Sequence, residues 1–302
     1  MSVTERRKPG RLFKSKPPLW TVLALIPGLA VVIVFCYYPL ARTVLLSVQG
    51  SDLFGRPTGL IGLENYREMF ADSDFWATLL RTLIFTLGSV VGKIAVGLAL
   101  AIPLAQRVRG TVFARSIVLI PMAVSVAVAG LAFRALMTPQ YGLLDQVLAV
   151  FGAGPAGWLT DSKMAMVSVI LVDVWTAIGF VTLLLITALD SIDESVNEAA
   201  SLDGATALRK LRNITIPLIT PTLFFVVVTQ SIQAMREFAV INVVTGGGPA
   251  RGTHTLVFDI YTKAFGGSAD YGGASARGII LLLIIGLLSA VQFGVLEKKV
   301  NY

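Results

Sequence analysis

The 302-residue sequence is poor in the side chains that cross-link a chain or hold a metal ion. It has one cysteine, Cys36, and one histidine, His254. A disulfide within the chain needs two cysteines, and a zinc site of the usual kind needs about three or four Cys, His or carboxylate ligands held close together. The sequence therefore excludes an internal disulfide and offers no Cys/His metal cluster.

Charge is also scarce. Only 14% of the residues are charged, against roughly 25% in soluble domains. Six apolar runs reach about 20 residues, the length that crosses a bilayer. These runs predict six transmembrane helices, at residues 19–48, 78–105, 113–137, 164–189, 218–243 and 274–296. The first run carries Pro27 and Pro39 and has no small-residue cleavage site, so we expect it to be retained and not removed as a secretory signal.

Motifs for catalysis and nucleotide binding are missing as well. No Ser/His/Asp constellation is evident. The segment Gly88 to Ile94 resembles a phosphate-binding loop, but it has three residues between its glycines and places Ile94 where Ser or Thr should hold magnesium. Gly88 and Gly92 instead predict a small-residue face that lets a neighbouring helix approach closely. We therefore expect no ATPase site in this chain.

The basic residues are distributed unevenly. Segments 1–18, 106–115, 190–217 and 297–302 hold 14 Lys and Arg residues against seven Asp and Glu residues, whereas the rest of the chain is balanced. Loops rich in Lys and Arg remain in the cytoplasm. The prediction is an all-α membrane protein with six transmembrane helices and both termini cytoplasmic, organised as a basic cytoplasmic tail of residues 1–18 and a single transmembrane domain of residues 19–302. Nucleic acid is not an expected partner, since the basic residues flank membrane spans.

The cytoplasmic loop 190–217 is the longest strongly polar segment between two spans on this side. Ser191 followed by Glu194 has the pattern of a capping box, which predicts a short helix that begins near Ile192. Gly204 interrupts this helix, because glycine reaches left-handed backbone angles at little cost. The loop is thus expected to turn sharply at its centre.

A second short helix is predicted from Thr206. Its apolar residues recur at steps of three and four, at Ala207, Leu208, Leu211 and Ile214. Pro217 closes the loop, because proline lacks a backbone N–H and suits the first turn of the next helix. The expected result is two short helices set at an angle.

These residues also carry a resemblance to a known family. The order Glu198-Ala199-Ala200, Asp203-Gly204-Ala205 and Ile214-Thr215-Ile216-Pro217 is similar to the cytoplasmic EAA loop of permease subunits of binding-protein-dependent ABC importers. In that family the loop is the coupling helix that docks into a groove of the ATPase subunit. The resemblance assigns the docking role to Glu198, Ala199, Ala200, Asp203, Gly204, Ala205, Leu208 and Leu211, although Leu211 stands where many carbohydrate-type members have an aromatic residue.

The resemblance implies a fold, a location and a set of partners. The fold is that of a type I ABC importer transmembrane domain in the bacterial cytoplasmic membrane. The partners are a second homologous permease subunit, two ATPase subunits that bind ATP and magnesium, and an extracytoplasmic solute-binding protein; no cofactor or metal is implied in this chain. Segments 37–40, 62–66 and 242–249 resemble the first permease subunit of carbohydrate and glycerol-phosphate importers.

Polar residues concentrate in the outer half of the fifth predicted span. Gln230, Gln233 and Glu237 fall on one helical stripe with Arg236 beside it, and Asn242 follows. Such a face suits a hydrated pathway for a hydroxyl-rich solute. The alternative is polar contact between helices, with Arg236 and Glu237 neutralising each other.

Two further charges lie near the bilayer centre. Lys93 is in the second predicted span and Asp173 in the fourth. A charge at this depth costs about 2.5 to 3.5 kcal/mol and usually faces the interior of the bundle. The two residues either pair directly or line a polar cavity separately, and both are assigned to the pathway.

Two external loops complete the sequence predictions. Residues 139–163 are expected to form a short helix on the membrane surface, with Trp158 at the interface. The glycine-rich segment 245–249 predicts a flexible loop, and His254 is expected to be a loop residue and not a ligand.

The solute is expected to be a sugar or related polyol, with glycerol-3-phosphate or a glycerophosphodiester as the alternative. A stand-alone ion-coupled carrier or channel, with Lys93 and Asp173 as a relay, is the alternative from another class.

Overall fold

The computed structural model describes residues 19–52, 54–106, 110–267 and 269–296. The predicted basic tail, the basic pair Arg107 and Arg109, and the terminal segment 297–302 lie outside these residues. The chain divides into two compact units, Met1–Leu45 and Leu46–Tyr302.

The first unit is helical throughout its described part. Helix α1, Leu19–Val32, continues through a π-helical turn, Ile33–Tyr37, into α2, Tyr38–Ser47, which ends just inside the second unit. Residues Leu23–Ser47 form a 25-residue apolar stretch whose most apolar part has none of its residues buried inside the protein. The sequence accounts for this, since side chains such as Leu25 and Phe35 are stable in lipid.

The second unit begins with a small sheet that the all-α prediction missed. Strand β1, Gln49–Ser51, pairs antiparallel with β2, Pro57–Leu60. Asn65 supports the sheet, because its Nδ2 donates to the carbonyl oxygens of Ser47, at 2.8 Å, and Gln49, at 2.9 Å. Strands of three and four residues are too short to show an alternating pattern in the sequence.

Two long helices form the centre of the bundle. After α3, Glu64–Ala71, helix α4 spans Ser73–Ala105, and later in the chain helix α8 spans Ser162–Asp190. A Cβ at Gly88 would lie 2.7 Å from Ile170 Cδ1, and one at Gly92 2.8 Å from Val174 Cγ2. The predicted small-residue face of the second span is therefore confirmed, and it packs against α8.

The third predicted span is broken. Helix α5, Thr111–Ala123, and helix α6, Val126–Leu136, meet at 97°. Pro121 lies near the end of α5, and Ser125 starts α6, since its Oγ accepts from Val128 N at 3.3 Å. A proline that disrupts one helix and a serine that caps the next explain why the span predicted over 113–137 is bent.

The segment after α6 is held against the protein by a buried aspartate. Its helix α7, Leu143–Val150, is where a short helix was predicted, but its Asp145 is buried. The Asp145 carboxylate accepts from Trp158 Nε1 at 3.0 Å and from Ala156 N at 3.2 Å. Trp158 also packs against an apolar core cluster. The ring of Trp158 is half-buried and held against the bundle by this hydrogen bond, and its position at the membrane interface stays a prediction.

The fifth predicted span is divided at both ends. The loop before the span contains α9, α10 and a π-helical turn that leads into α11. The span itself contains α12, and α13 follows it. Their bounds are Glu194–Leu202 for α9, Ala207–Lys210 for α10, Leu211–Thr215 for the π-helical turn, Ile216–Leu218 for α11, Thr220–Met235 for α12 and Ala239–Val244 for α13. The chain bends by 70° between Leu218 and Thr220. The single helix predicted over 218–243 is wrong, because α12 ends at Met235.

Two helices close the second unit. Helix α14, Leu256–Phe265, is external to the predicted spans, and helix α15, Tyr271–Leu296, is the last span. Three buried apolar clusters, which contain Phe85, Leu185 and Phe75 respectively, hold the unit together. Within the described ranges, four helices are long and apolar enough to cross a membrane, or six if each bent pair is one span.

Candidate coupling and transport sites

Helix α9 begins two residues later than the sequence indicated. Asp193 is its N-cap, with Oδ1 accepting from Ser195 N at 2.9 Å. Hydrogen bonds from the backbone and the side chain of Ser195 hold the pKa of the exposed Asp193 carboxyl below its usual value. The predicted capping box at Ser191 is wrong, because Ser191 Oγ donates to Ala188 O at 2.7 Å and so belongs to the end of α8.

The turn after α9 depends on Gly204. Its φ is +70°, which lies in the left-handed region. The amides of Gly204 and Ala205 both donate back to the helix. Gly204 N donates to Ser201 O at 3.1 Å, and Ala205 N donates to Ala200 O at 3.0 Å. This pair of bonds is a Schellman motif, which satisfies the last carbonyls of the helix. The predicted turn at Gly204 is confirmed.

The second half of the loop is a helix whose geometry changes along its length. Thr206 caps α10, since its Oγ1 accepts from Arg209 N at 3.4 Å. From Leu211 to Thr215 the backbone becomes π-helical. A π-helical turn is wider than an α-helical one, so the predicted stripe of steps of three and four does not persist beyond Lys210.

The two halves expose large apolar side chains to solvent. Leu208 is 73% exposed on α10, and Leu202 is 90% exposed at the end of α9. Ala200 is buried between them, whereas Glu198 and Ala199 are exposed. Leu202 was not among the predicted coupling residues. Leu202 is exposed because it is the last residue of a helix that ends in a sharp turn. The spacing of apolar residues along the sequence does not reveal this.

A cavity of about 420 Å³ separates this loop from the bundle. It is lined by Gln106 at the end of α4, Asp190 at the end of α8, and Glu194, Lys210 and Leu211 of the loop. Arg115 pairs with Asp190, with Nη1 at 3.4 Å from Asp190 Oδ2, and its Nε donates to Leu104 O. The loop therefore has unfilled space behind it.

Lys93 and Asp173 form a direct ion pair in the centre of the bundle. Lys93 Nζ lies 2.7 Å from Asp173 Oδ2, and the two side chains are only 2% and 6% exposed. Ser89 Oγ also donates to Asp173 Oδ2. Of the two arrangements that the sequence left open, direct pairing is therefore confirmed. It joins α4 to α8 at a depth where an unpaired charge is costly.

The polar residues of the fifth span separate into different environments. Gln230 is buried at 4% exposure on α12, whereas Gln233, Arg236 and Asn242 are exposed. Glu237 follows the end of α12, and its Oε1 accepts from Val240 N at 2.8 Å, which starts α13. The single stripe predicted through Gln230, Gln233 and Glu237 is therefore wrong beyond Met235.

Glu237 nevertheless joins the central charges. Its carboxylate interacts electrostatically with both Asp173 and Lys93. The break after α12 thus brings a half-buried carboxylate towards the ion pair of α4 and α8. The structure brings Lys93 and Asp173 into direct contact, and Glu237 is near enough to interact with both electrostatically.

A second charged group, at the outer end of the bundle, was missed by the sequence. Asp259 of α14 accepts from Arg277 Nε at 2.7 Å and contacts His254 Nε2 at 3.1 Å and Arg251 Nη2 at 3.3 Å. Burial favours the neutral carboxyl, but the hydrogen bond with His254 and the charge of Arg277 outweigh it and hold the pKa of Asp259 below its usual value. His254 is therefore part of a buried network.

The loop that contains His254 is densely bonded. Thr253 Oγ1 donates to Gly248 O at 2.9 Å, and Leu256 N donates to Thr82 Oγ1 of α4 at 2.8 Å. Thr253 is fully buried. The flexible loop predicted from the glycines of 245–249 is corrected, because these hydrogen bonds hold the loop and Gly247 packs closely against Phe258.

A bundle of membrane-crossing helices with charges paired in its centre and a bent polar loop at one end is the architecture of a multi-pass permease. Residues 93–302 match the family described as binding-protein-dependent transport system inner membrane component, and the chain belongs to that family. The prediction of an ABC importer permease subunit in the inner membrane is confirmed. The chain is thus a transport component.

The chain is similar to named relatives over nearly its whole length. The sn-glycerol-3-phosphate transport system permease protein UgpA of Agrobacterium fabrum is 33% identical over 283 residues, which cover 93% of this chain and 95% of the relative. The protein of that name from Yersinia pestis is 36% identical over 284 residues, with the same two shares. These relatives support the predicted class of glycerol-phosphate and carbohydrate importers.

A solved structure shares the fold. A chain of a bacterial ABC transporter involved in the import of the acidic polysaccharide alginate superposes with a TM-score of 0.80 at 20% identity. The match covers 93% of this chain and 96% of that chain. The predicted fold of an ABC importer transmembrane domain is confirmed.

Proposed function

We propose that this chain is one of two related permease subunits that together enclose the pathway of an ATP-driven importer. A second homologous permease completes the pathway, two ATPase subunits bind the cytoplasmic side, and a solute-binding protein docks outside. ATP and magnesium are held by the ATPase subunits, so this chain contributes no ATPase site, cofactor or metal. Both termini are cytoplasmic in this arrangement.

The observation that carries the proposal is the exposed, capped and bent loop 190–217. Leu202 and Leu208 present apolar surface on a polar loop, which is a surface typical of a docking site. Docking on an ATPase would bury this surface. The residues assigned to the contact are Glu198, Ala199, Ala200, Leu202, Asp203, Gly204, Ala205, Leu208 and Leu211.

Movement of the loop reaches the pathway through continuous backbone. The loop leads through the π-helical turn to the 70° bend and then into α12. Helix α12 ends at Met235, and Glu237, two residues further on, interacts electrostatically with the ion pair of Lys93 and Asp173. A shift of the loop into the 420 Å³ space behind it would therefore move the polar end of α12, which is how closure of the ATPases changes access to the pathway.

The proposed solute is a sugar or a related polyol. The pathway residues are Gln230, Gln233, Arg236, Glu237, Asn242, Lys93 and Asp173. Amide side chains both donate and accept hydrogen bonds, which suits hydroxyl groups.

Glycerol-3-phosphate, or a glycerophosphodiester, is the second candidate, and a specific observation favours it. The relatives that are 33% and 36% identical carry that solute in their names. Arg236 is exposed and makes no ion pair with the described residues, so its guanidinium is free to contact a phosphate.

The test is uptake by the reconstituted complex in vesicles. With both permeases, the ATPases, the binding protein and ATP, we expect uptake of a radiolabelled neutral sugar that a hundredfold excess of glycerol-3-phosphate does not reduce. Inhibition by glycerol-3-phosphate would select the second candidate. Transport by this chain alone, driven by a proton gradient, would refute the importer assignment and support an ion-coupled carrier.

A further inference from the structure

A narrow slot of about 100 Å³ lies between α5 and α8, at the end of the bundle where α8 finishes. One face of α8, from Gly179 to Asp190, forms its long wall, which at about 1.5 Å per residue measures roughly 16 Å. Arg115, Val118 and Leu119 of α5 form the facing wall. The pathway proposed above uses none of these residues.

The two ends of the slot differ. At the deep end the helices touch, because a Cβ at Gly179 would lie 2.9 Å from the carbonyl oxygen of Val118. At the other end lie the side chains of Arg115 and Asp190, which are 34% and 36% exposed. The residues between these ends are mostly apolar. An apolar slot with a charged mouth suits a molecule that has an apolar chain and a charged head.

The slot lies at bilayer depth. Helix α8 is long and apolar enough to cross a membrane, and Leu183, which lines the slot, is 43% exposed on it. The mouth is level with the ends of two long helices, because Asp190 is the last residue of α8 and Arg115 Nε donates to Leu104 O in the last turn of α4. Arginine at such a level keeps its charged end among lipid headgroups. The slot therefore runs from the headgroups into the acyl chains of one leaflet.

The mouth presents one positive and one negative charge side by side. Arg115 Nη1 lies 3.4 Å from Asp190 Oδ2, and neither residue makes an ion pair with any other residue that the structure describes. A guanidinium group has five N–H donors, and a carboxylate has two acceptor oxygens. Both side chains are therefore able to bind a further charged group while they remain in contact with each other.

We propose that this slot binds a phospholipid whose headgroup carries a phosphate and a primary ammonium group, as phosphatidylethanolamine does. The phosphate binds Arg115, the ammonium group binds Asp190, and the part of one acyl chain nearest the headgroup lies along Leu183 and Ile186. A headgroup with negative charge alone would meet the carboxylate of Asp190 as well as Arg115, which is unfavourable. A choline headgroup has no N–H with which to donate to Asp190.

The bound lipid would also contact the start of the coupling loop. Asp190 lines the slot and also lines the cavity behind the loop 190–217. A headgroup held by Asp190 therefore restrains the first residue of the loop, and the lipid composition of this leaflet affects how the loop moves. The binding itself depends only on the membrane location of the chain, whereas this effect on the loop rests on the importer function proposed above.

The experiment uses the purified complex in nanodiscs that contain phosphatidylethanolamine with a photoreactive diazirine in one acyl chain. After irradiation, we expect mass spectrometry to find the label on residues 179–190 of this chain. Arg115→Gln combined with Asp190→Asn should reduce that labelling about fivefold, because two partly exposed charge contacts are lost. The matched control is Glu64→Gln combined with Arg67→Gln, which removes an exposed ion pair of α3 outside the slot and should leave the labelling unchanged.

Asp190→Asn alone is the milder variant in case the double change prevents assembly. It should reduce labelling by the ethanolamine probe and leave labelling by a phosphatidylcholine probe, which we expect to be weaker in the unaltered complex, unchanged. Equal labelling of the unaltered complex by the ethanolamine probe and by a choline or glycerol probe would overturn the headgroup assignment. Absence of label on residues 179–190 would mean that another subunit covers the slot, and would overturn the proposal. Neither result bears on the importer assignment, which the uptake measurement tests separately.

Discussion

Two loops at opposite ends of the bundle each contain a glycine at positive φ, but the glycines have different surroundings. In the loop 190–217, Gly204 has a φ of +70° and no heavy atom within 4 Å of the place a Cβ would occupy. In the loop 245–255, Gly247 has a φ of +79°, yet a Cβ there would lie 2.5 Å from the ring of Phe258. One loop needs glycine only for its backbone angle, and the other needs it also for space.

The two loops therefore suit different structural roles. A loop that must be bound and moved has exposed side chains, local caps and a cavity behind it. A loop that must hold its shape has buried hydroxyl groups, ion pairs and bonds to distant helices. The loop 190–217 therefore has features that would allow a change of position, and the loop 245–255 has contacts that hold it in place.

The largest expected effect comes from the charged network at the outer end. Asp259→Asn removes the negative charge that faces Arg277, Arg251 and Lys263, and leaves Arg277 buried without its main partner. We expect a loss of about 3 kcal/mol in the free energy of unfolding, measured by thermal or chemical denaturation in detergent. The matched cytoplasmic change, Asp193→Asn, should shift the unfolding midpoint far less, because Asp193 is exposed. Equal shifts would remove the contrast between the two ends.

The same carboxyl predicts a pH dependence. Because the pKa of Asp259 is lowered on folding, its contribution to stability is complete above the ordinary carboxyl value of about 3.9 and is lost as the pH falls through the lower folded value. The stability difference between the unaltered protein and Asp259→Asn should therefore be constant from about pH 5 upward and shrink below about pH 4. If the stability difference between the two proteins vanished already near pH 6, ionisation of Asp259 would not be the cause of the pH dependence.

The next effect tests packing in the outer loop. A Cβ at Gly252 would lie 2.8 Å from the carbonyl oxygen of Ser162, at the start of α8. Gly252→Ala should therefore cost about 1 to 3 kcal/mol, since the backbone must shift to admit the methyl group. The denaturation measurement used for Asp259→Asn applies here too. If Gly252→Ala were as stable as the unaltered protein, the outer loop would have room that the structure does not show.

The smallest effect on stability is expected in the coupling loop. Gly204→Val places a β-branched residue at a φ of +70° and should cost about 1 to 2 kcal/mol, whereas Gly204→Asn should be tolerated because asparagine reaches the left-handed region. We expect uptake to fall in Gly204→Val and to persist in Gly204→Asn. Loss of uptake in both variants would show that the position needs more than its backbone angle.

The sequence predicted features that depend on neighbours along the chain. The turn at Gly204, the start of a second short helix at about Thr206 and the small-residue face at Gly88 and Gly92 follow from local rules and are confirmed. The ion pair of Lys93 and Asp173 was one of two open possibilities, because both charges needed a partner at similar depth.

Features that depend on distant residues were missed. Asp259, Arg277 and Arg251 come together only after α14 and α15 have folded against α4, and no spacing in the sequence reveals that. The breaks at Ser125 and Ile219 were hidden because apolar residues continue across them. Glu237 was placed on the stripe of Gln230 because hydropathy does not show that α12 ends at Met235.

The central claim is that the loop 190–217 docks on the ATPase, and cysteine cross-linking tests it most directly. With Cys36 replaced by serine, single cysteines are placed at Leu208 and, as the control, at Lys163, and each complex is treated with a short bifunctional reagent. The account predicts that the cysteine at 208 cross-links to the ATPase subunit and that the cysteine at 163 does not. Cross-linking of 163, or the absence of cross-linking at both 208 and an added cysteine at Leu202, would contradict it.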